Sequence, residues 1–216
     1  MFQDLLFDLD GTLTDSSEGL TKSVQYGLQC VGIEVTDLSD LLKFIGPPLE
    51  QSFREGFGFD KEKAELAVAK YRERFIPIGL YENLVYPGME DALQRLKEAG
   101  KVLIVATSKP EYMAKRILEH FGLDGYFDDI CGSDDDRHRS KKDEVIRYAL
   151  EKHGITDLED VLMVGDRKFD VLGAAKCGLK CMGVLYGFGD REELEAAGAA
   201  YIAETVEDMA QMIVSL

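Results

Sequence analysis

What the sequence lacks excludes several classes of protein. Its 216 residues include no tryptophan, four cysteines and five prolines, and no apolar run approaches the roughly 20 residues that cross a bilayer. The cysteines, Cys30, Cys131, Cys177 and Cys181, form no CxxC pair and no zinc pattern with the histidines. This arrangement predicts reduced and mostly buried thiols, with a Cys177 and Cys181 redox pair as the remote alternative.

Positive charge is also scarce. The 25 lysines and arginines face 41 acidic residues, which gives a formal net charge of -16. So negative a surface disfavours nucleic acid and anionic membranes as partners. The opening residues MFQDLLFDLDG lack the basic start and cleavage region of a secretory signal, so a cytoplasmic location is expected. A small anionic substrate stays compatible, because a bound cation can reverse the potential inside one cleft.

Short apolar runs alternate with helical patterns along most of the chain. The runs predict strands at 5–9, 102–106, 126–131, 161–164 and 181–184. Between them, helical spacing with a closing glycine predicts helices at 88–100, 111–122, 141–154 and 169–178. This alternation predicts an α/β fold with a doubly wound, parallel-sheet, Rossmann-like core and right-handed crossovers.

The segment from about 18 to 81 breaks this rhythm. Amphipathic helical stretches follow one another there with no strand pattern between them. We therefore predict a core of residues 1–15 and 83–216 with an inserted helical cap of residues 16–82. An insertion that follows a strand end can cover the site where open α/β sheets bind ligands.

Two features of the inserted segment are candidates for substrate contact. Gly46 and Pro47 interrupt the helices with a rigid turn that can aim backbone at a ligand, although a simple helix break explains them equally well. Arg54, Arg72 and Arg74 are cationic candidates, and charged helix faces explain them as well.

The first strand ends in a pair of carboxylates. Asp8 and Asp10 are two residues apart, so alternation along a strand places both on one face. Their repulsion is costly unless a cation lies between them or one of them takes a proton. Gly11 allows close approach of the backbone, and amides there, including that of Thr12, can face an anion. The pattern indicates a metal and phosphate site, with an acidic turn as the alternative.

Other predicted strand and helix ends add polar groups. Thr107 and Ser108 supply hydroxyls and backbone donors where phosphoryl oxygens can bind, and Lys109 follows them as a further substrate-binding candidate. Either Lys141 or Lys142, at the start of a helix pattern, can bridge a carboxylate and a phosphate. Taken singly, ordinary turns and a solvated helix start also explain these residues.

A second acidic pair follows the predicted strand at 161–164. Asp166 is expected to project towards Asp8, and Asp170 to bind the metal, its water or the lysine. A plain acidic charge at a helix N-terminus is the alternative for Asp170. The acidic run at 134–136 is predicted to be a solvated loop.

Taken in order, these segments resemble the four motifs of the haloacid dehalogenase superfamily, in its phosphoglycolate phosphatase-like branch with a helical cap near the N-terminus. DLDGTLTD resembles the first motif, Thr107-Ser108 the second, Lys142 the third and GDRKFD the fourth. The resemblance covers nearly the whole chain. It implies a Mg²⁺-dependent phosphatase that hydrolyses small phosphate monoesters through an aspartyl-phosphate.

The resemblance also implies roles for individual residues. Asp8 is then the nucleophile and Asp10 the general acid and base. Asp8, Asp10 through its carbonyl, and Asp166 hold Mg²⁺, with Asp170 as a further candidate. Thr107 or Ser108 and Lys142 bind the phosphoryl group. Many relatives have proline after this lysine whereas Asp143 stands here, so the choice between Lys141 and Lys142 stays open.

Substrate and outcome stay open within that resemblance. The loop at 44–49 resembles the cap loop of phosphoglycolate phosphatases and 5'-nucleotidase-like enzymes, which favours phosphoglycolate first and a nucleoside monophosphate second. A sugar phosphomutase uses the same phosphorylated aspartate, and a non-catalytic binding module is the alternative of another class. A dehalogenase is disfavoured because Asp10 is present. A monomer and a homodimer are both compatible with the sequence.

Overall fold

The computed structural model describes residues 2–134 and 139–216, so Asp135 and Asp136 of the predicted acidic loop lie outside the described residues. The chain forms two compact units. The larger unit consists of Met1–Asp15 and Val85–Leu216, and the smaller consists of Ser16–Leu84.

Strands and helices alternate through most of the larger unit. The strands are β1 (Asp4–Phe7), β2 (Thr14–Asp15), β3 (Leu84–Val85), β4 (Val102–Pro110), β5 (Asp129–Ser133), β6 (Val161–Gly165), β7 (Lys180–Val184) and β8 (Tyr201–Ala203). The α-helices of the smaller unit are α1 (Ser17–Cys30), α2 (Leu49–Phe57) and α3 (Lys61–Arg74). Those of the larger unit are α4 (Met89–Glu98), α5 (Glu111–His120), α6 (Lys142–His153), α7 (Lys168–Lys176), α8 (Arg191–Ala197) and α9 (Val206–Ser215). Shorter 3₁₀ turns lie at Leu38–Phe44, Asp124–Tyr126 and Leu158–Asp160, and a π turn at Phe75–Gly79.

Six strands of the larger unit form one parallel sheet in the order β5-β4-β1-β6-β7-β8. Leu5, Leu6 and Phe7 in β1 are fully buried, as expected for a strand that is covered on both faces. The chain leaves β1 first towards β4 and later returns to its other side at β6. The carboxyl ends of these three strands therefore border the crevice where such sheets bind ligands. The predicted doubly wound α/β fold is confirmed.

Several predicted boundaries differ from the structure. The first strand ends at Phe7 because the carbonyl of Leu9 accepts hydrogen bonds from the amides of Leu13 and Thr14, which turns the chain. The strand predicted at 126–131 starts only at Asp129, after a 3₁₀ turn. Helices α8 and α9 and strand β8 were not predicted.

The smaller unit is helical, and all of its residues between 16 and 83 are described and contain no strand. Helix α3 packs against α1 and α2. It begins at Lys61, and the carboxylate of the preceding Asp60 accepts the Lys63 amide at 2.8 Å and so caps the first turn. The rings of Phe44 and Phe53, 5.2 Å apart, belong to the core of this unit.

All four cysteines are free thiols. Cys131 and Cys181 are buried and Cys177 is half-buried, but Cys30 is exposed at the end of α1, which differs from the predicted burial. Among the described residues, no helix combines the length and apolar character needed to pass through a bilayer.

Candidate active site

The loop after β1 places two carboxylates at the centre of the sheet edge. The Asp8 amide continues the β1–β6 pairing by donating to the Val164 carbonyl at 2.9 Å, and Asp8 Oδ1 accepts the Leu9 amide at 2.7 Å. Gly11 has φ +81°, and a Cβ at this position would overlap the Asp166 carboxylate. Only glycine satisfies both the left-handed backbone and this close approach.

Lys142 lies among oxygen atoms from three parts of the chain. Its Nζ is 2.9 Å from Asp8 Oδ1, 2.8 Å from Asp170 Oδ1 and 2.9 Å from the Ala106 carbonyl oxygen. Burial opposes the charge of this ammonium, but the Asp170 and Asp8 carboxylates outweigh it and raise the pKa of Lys142. Lys141 is instead an exposed residue at the start of the helix, so it is Lys142 that reaches Asp8.

Asp166 and Asp170 are both buried beside this lysine. Asp166 follows β6, and burial together with the charges of Asp170 and Asp8 raises its pKa well above the usual range. Asp170 lies in the first turn of α7, where its Oδ2 accepts the Arg167 amide at 3.0 Å. Burial raises the pKa of Asp170 to about 6, although Lys142 acts in the opposite direction. Asp170 thus caps a helix and belongs to the site.

The donor set fits Mg²⁺. Carboxylate oxygens of Asp8, Asp166 and Asp170 all lie within 4.8 Å of one another, and oxygen ligands are those that Mg²⁺ prefers. One ammonium faces three carboxylates, so a divalent cation would offset the remaining negative charge. In addition, Asp10 Oδ1 is buried and has no hydrogen-bond partner among the described residues.

Of the candidate residues at the end of β4, Lys109 contacts Asp10. Lys109 Nζ lies 2.9 Å from Asp10 Oδ2, and the lysine side chain is only 6% exposed. Thr107 is buried and its Oγ1 accepts the Lys109 amide at 3.2 Å, whereas Ser108 is half-buried. The pairing of Lys109 with Asp10 was not foreseen from the sequence.

Thr12 faces the acidic cluster. Its side chain is fully buried, and its hydroxyl donates to Asp166 Oδ1 at 3.5 Å. Thr12 therefore contacts Asp166, the predicted metal ligand. A role in substrate binding alone would not require this contact.

The candidates in the inserted segment belong to the smaller unit. Gly46 is exposed with φ +104° and Pro47 is half-buried. Arg54 lines an open cavity of about 680 Å³ in the same unit. Arg74 forms a two-pronged ion pair with Glu82, at 2.7 and 3.0 Å, so its charge is already matched.

Three residues in or near the loop after β7 were not predicted to belong to the site, namely Tyr86, Tyr186 and Phe188. The Phe188 amide donates to Asp166 Oδ2 at 2.8 Å. The rings of Tyr86 and Tyr186 are 5.0 Å apart. Burial is the main reason why the pKa of both phenols is raised, and nearby negative charge, including that of Asp166, raises it further. The glycine-rich stretch 185–189 was the available signal, but the sequence shows only that it follows a strand.

A carboxylate cluster that can hold a divalent cation beside a buried lysine supplies the positive charge that phosphoryl transfer requires. Residues 5–184 match the family model described as haloacid dehalogenase-like hydrolase. The chain belongs to this family.

Two known proteins are similar to this chain over almost its full length. A solved structure described as a predicted phosphatase from Clostridium acetobutylicum has a TM-score of 0.96 and 51% identity over 100% of both chains. A 5'-nucleotidase from Pseudomonas aeruginosa is 46% identical over 99% of this chain and 96% of its own.

Two more distant relatives carry other names. The tyrosine-protein kinase PtkA of Mycobacterium tuberculosis is 35% identical over 97% of this chain and 72% of its own. A phosphoglycolate phosphatase from Vibrio parahaemolyticus is 27% identical over 97% and 95%, respectively. With the family match, the phosphatase names among these relatives support a phosphoric monoester hydrolase.

Proposed function

We propose that this protein is a Mg²⁺-dependent phosphatase that hydrolyses small phosphate monoesters through a phosphorylated Asp8. One observation carries the proposal. The Lys142 ammonium lies 2.9 Å from Asp8 and 2.8 Å from Asp170, while oxygens of both carboxylates are within 4.8 Å of Asp166. Such a site can hold a nucleophile, a cation and a phosphoryl group together.

In the first step, a carboxylate oxygen of Asp8 attacks phosphorus. Oδ1 already accepts the Leu9 amide and contacts Lys142, so Oδ2 is the oxygen that forms the new bond. The bond between phosphorus and the ester oxygen breaks, and Asp10 donates a proton to that oxygen as the alcohol leaves. Bound Mg²⁺ would supply positive charge that lets the anionic carboxylate approach the anionic phosphate.

In the second step, water attacks the phosphorus of phospho-Asp8 and Asp10 accepts its proton. The bond between phosphorus and the Asp8 oxygen breaks, inorganic phosphate leaves and the carboxylate is regenerated. Asp10 thus returns to the protonated state that the next first step needs. Lys109, 2.9 Å from Asp10, keeps this carboxyl group in one place through both steps.

For the substrate, we propose a nucleoside 5'-monophosphate first and phosphoglycolate second. The sequence favoured the opposite order, but the relative named 5'-nucleotidase is 46% identical and the one named phosphoglycolate phosphatase is 27% identical. We also propose that residues 16–82 act as a cap and that Gly46 and Pro47 contact the substrate. If so, Pro47→Ala changes the ratio of kcat/KM for the two substrates, whereas an unchanged ratio contradicts the proposed contact.

Phosphate release with Mg²⁺ tests the mechanism on a panel of nucleoside monophosphates, phosphoglycolate and sugar phosphates. Asp8→Asn should abolish release, and Asp10→Asn should lower it by about 10²- to 10⁴-fold, the usual contribution of general acid and base catalysis. Asp4→Asn, at the other end of β1, is the matched control and should stay active. Undiminished release by Asp8→Asn contradicts the mechanism.

Product analysis distinguishes the remaining alternatives. A phosphomutase transfers the phosphoryl group to a sugar, a kinase transfers it from a nucleoside triphosphate to a protein, and a binding module gives no product. Transfer to water is the result expected here.

A further inference from the structure

The loop that follows β7 encloses the side chain of Asp166. We infer that residues 186–189, which we call the β7 loop, position Asp166 for metal binding, with the Phe188 backbone amide as the positioning group. This inference rests on the proposed function, in which Asp166 is a ligand of Mg²⁺. Phe188 itself touches no reacting atom in this scheme and acts through Asp166.

A direct hydrogen bond is the first observation. The Phe188 amide donates to Asp166 Oδ2 at 2.8 Å, across 22 residues of chain. Asp166 is fully buried, so the orientation of its carboxylate depends on such contacts and not on water. A backbone donor fixes one oxygen and thereby determines where the other points.

The two glycines of the loop are the second and independent observation. A Cβ at Gly187 would overlap both the Gly11 carbonyl oxygen and the Asp166 side chain, and a Cβ at Gly189 would overlap the Asp166 carbonyl oxygen. Neither glycine has a positive φ, in contrast to Gly11. Close packing on Asp166, and not backbone conformation, is therefore what requires glycine at 187 and 189.

The loop after β1 contacts Asp166 from the other side. A Cβ at Gly11 would overlap the Asp166 carboxylate, and the Thr12 hydroxyl lies 3.5 Å from Asp166 Oδ1. Asp166 thus lies between the loop after β1 and the β7 loop, with a backbone donor on one oxygen and a hydroxyl near the other. A carboxylate held this way has little freedom to rotate, which is what a metal ligand requires for affinity.

Calorimetric titration of the metal-free protein with Mg²⁺ tests the inference. Gly187→Ala and Phe188→Pro, which removes the amide donor, should raise the Kd for Mg²⁺ by about 10- to 100-fold, the usual effect of losing a group that orients a metal ligand. Phe188→Leu keeps the amide and should bind as the wild type does. Gly125→Ala is the control for the glycine change, because that residue is exposed with no atom within 4 Å of the added Cβ.

A kinetic readout separates positioning from general damage. In Gly187→Ala, half-maximal phosphate release should require about 10- to 100-fold more Mg²⁺, while saturating Mg²⁺ restores most of the activity. The melting temperature of metal-free Gly187→Ala should fall, because the added Cβ would overlap the Gly11 backbone carbonyl oxygen, so Mg²⁺ binding and activity are compared well below the unfolding transition of each variant. If Phe188→Pro fails to fold, Gly187→Ala and Gly189→Ala carry the test.

Asp166→Asn distinguishes failure of this inference from failure of the proposed function. If Asp166→Asn leaves the Kd for Mg²⁺ unchanged, the proposed metal site is wrong. If Asp166→Asn weakens binding but the folded loop variants bind Mg²⁺ like the wild type, the proposed metal site stands and the inference about the β7 loop is overturned.

Discussion

Replacing Lys142 with methionine removes the ammonium that pairs two carboxylates in the larger unit. Its Nζ lies 2.9 Å from Asp8 and 2.8 Å from Asp170, and their side chains are 15% and 1% exposed. Methionine has a similar length and no charge, so the two carboxylates would face each other without compensation. The Ala106 carbonyl, now 2.9 Å from Nζ, would also lose its partner.

The size of the effect follows from the burial of the pair. Removing one partner of a buried ion pair costs about 3–5 kcal/mol of unfolding free energy. We expect about 3 kcal/mol, because Asp8 keeps some contact with water and either carboxyl group can take up a proton. For a chain of this size, that corresponds to a melting temperature about 6–12 °C lower.

Circular dichroism during heating, with a chelator present, measures this loss. Lys141→Met is the matched control, because Lys141 is the exposed neighbour and its replacement should change the free energy of unfolding by less than about 0.5 kcal/mol. Asp170→Asn in the Lys142→Met background should recover part of the loss, because one uncompensated charge is gone. Equal melting temperatures for Lys142→Met and Lys141→Met would refute the reasoning.

Three further predictions concern other contacts and the metal. Arg74→Met should lower the unfolding free energy by about 1–3 kcal/mol, because Arg74 forms a bidentate pair with Glu82. Arg72→Met changes an exposed position and should have little effect. Urea titrations measure both variants. Burial raises the pKa of Asp129, but hydrogen bonds, of which that from Lys152 contributes most, outweigh burial and lower the pKa overall. Asp129→Asn should therefore be less stable than the wild type near neutral pH. The difference should start to shrink below about pH 4, where this carboxylate takes up a proton in the unfolded chain, and should vanish only at the lower pH at which the folded carboxylate is protonated as well. Mg²⁺ at about 100 times its Kd should stabilise the wild type by about 2.7 kcal/mol, and a melting temperature that Mg²⁺ leaves unchanged would argue against the metal site.

The central part of the fold could be predicted because buried parallel strands have a clear sequence pattern. The runs that became β1, β4 and β6 are predominantly apolar and lead into polar residues, which indicates both the sheet and the edge where Asp8 and Asp166 meet. Element ends were less predictable, because they depend on turn hydrogen bonds such as those to the Leu9 carbonyl. The C-terminal elements from α8 onwards were missed. Helix α8 and strand β8 are short, with 7 and 3 residues, whereas α9, with 10 residues, is as long as α4 and α5.

Contacts between loops could not be predicted from the sequence. The pairing of Lys109 with Asp10 depends on how two strand ends meet, and the hydrogen bond from Phe188 to Asp166 depends on the path of the chain after β7. In the sequence, Gly187 and Gly189 indicate only a turn. Their role becomes visible once the position of Asp166 in space is known.

The contacts of Lys142 bear on the role that we propose for this residue in the reaction. A lysine ammonium has three N–H donors and no acceptor, and Nζ has three oxygen neighbours, from Asp8, Asp170 and Ala106. The contact with the Ala106 carbonyl is a hydrogen bond, and those with Asp8 and Asp170 are ion pairs. Under the proposed function, a hydrogen bond from Lys142 to a phosphoryl oxygen would use a donor other than the one bound to the Ala106 carbonyl. In the proposed first step, Oδ2 of Asp8 bonds to phosphorus and the Asp8 carboxyl group loses its negative charge, so its ion pair with Lys142 weakens. The contacts of Nζ with Asp170 and the Ala106 carbonyl do not change in that step.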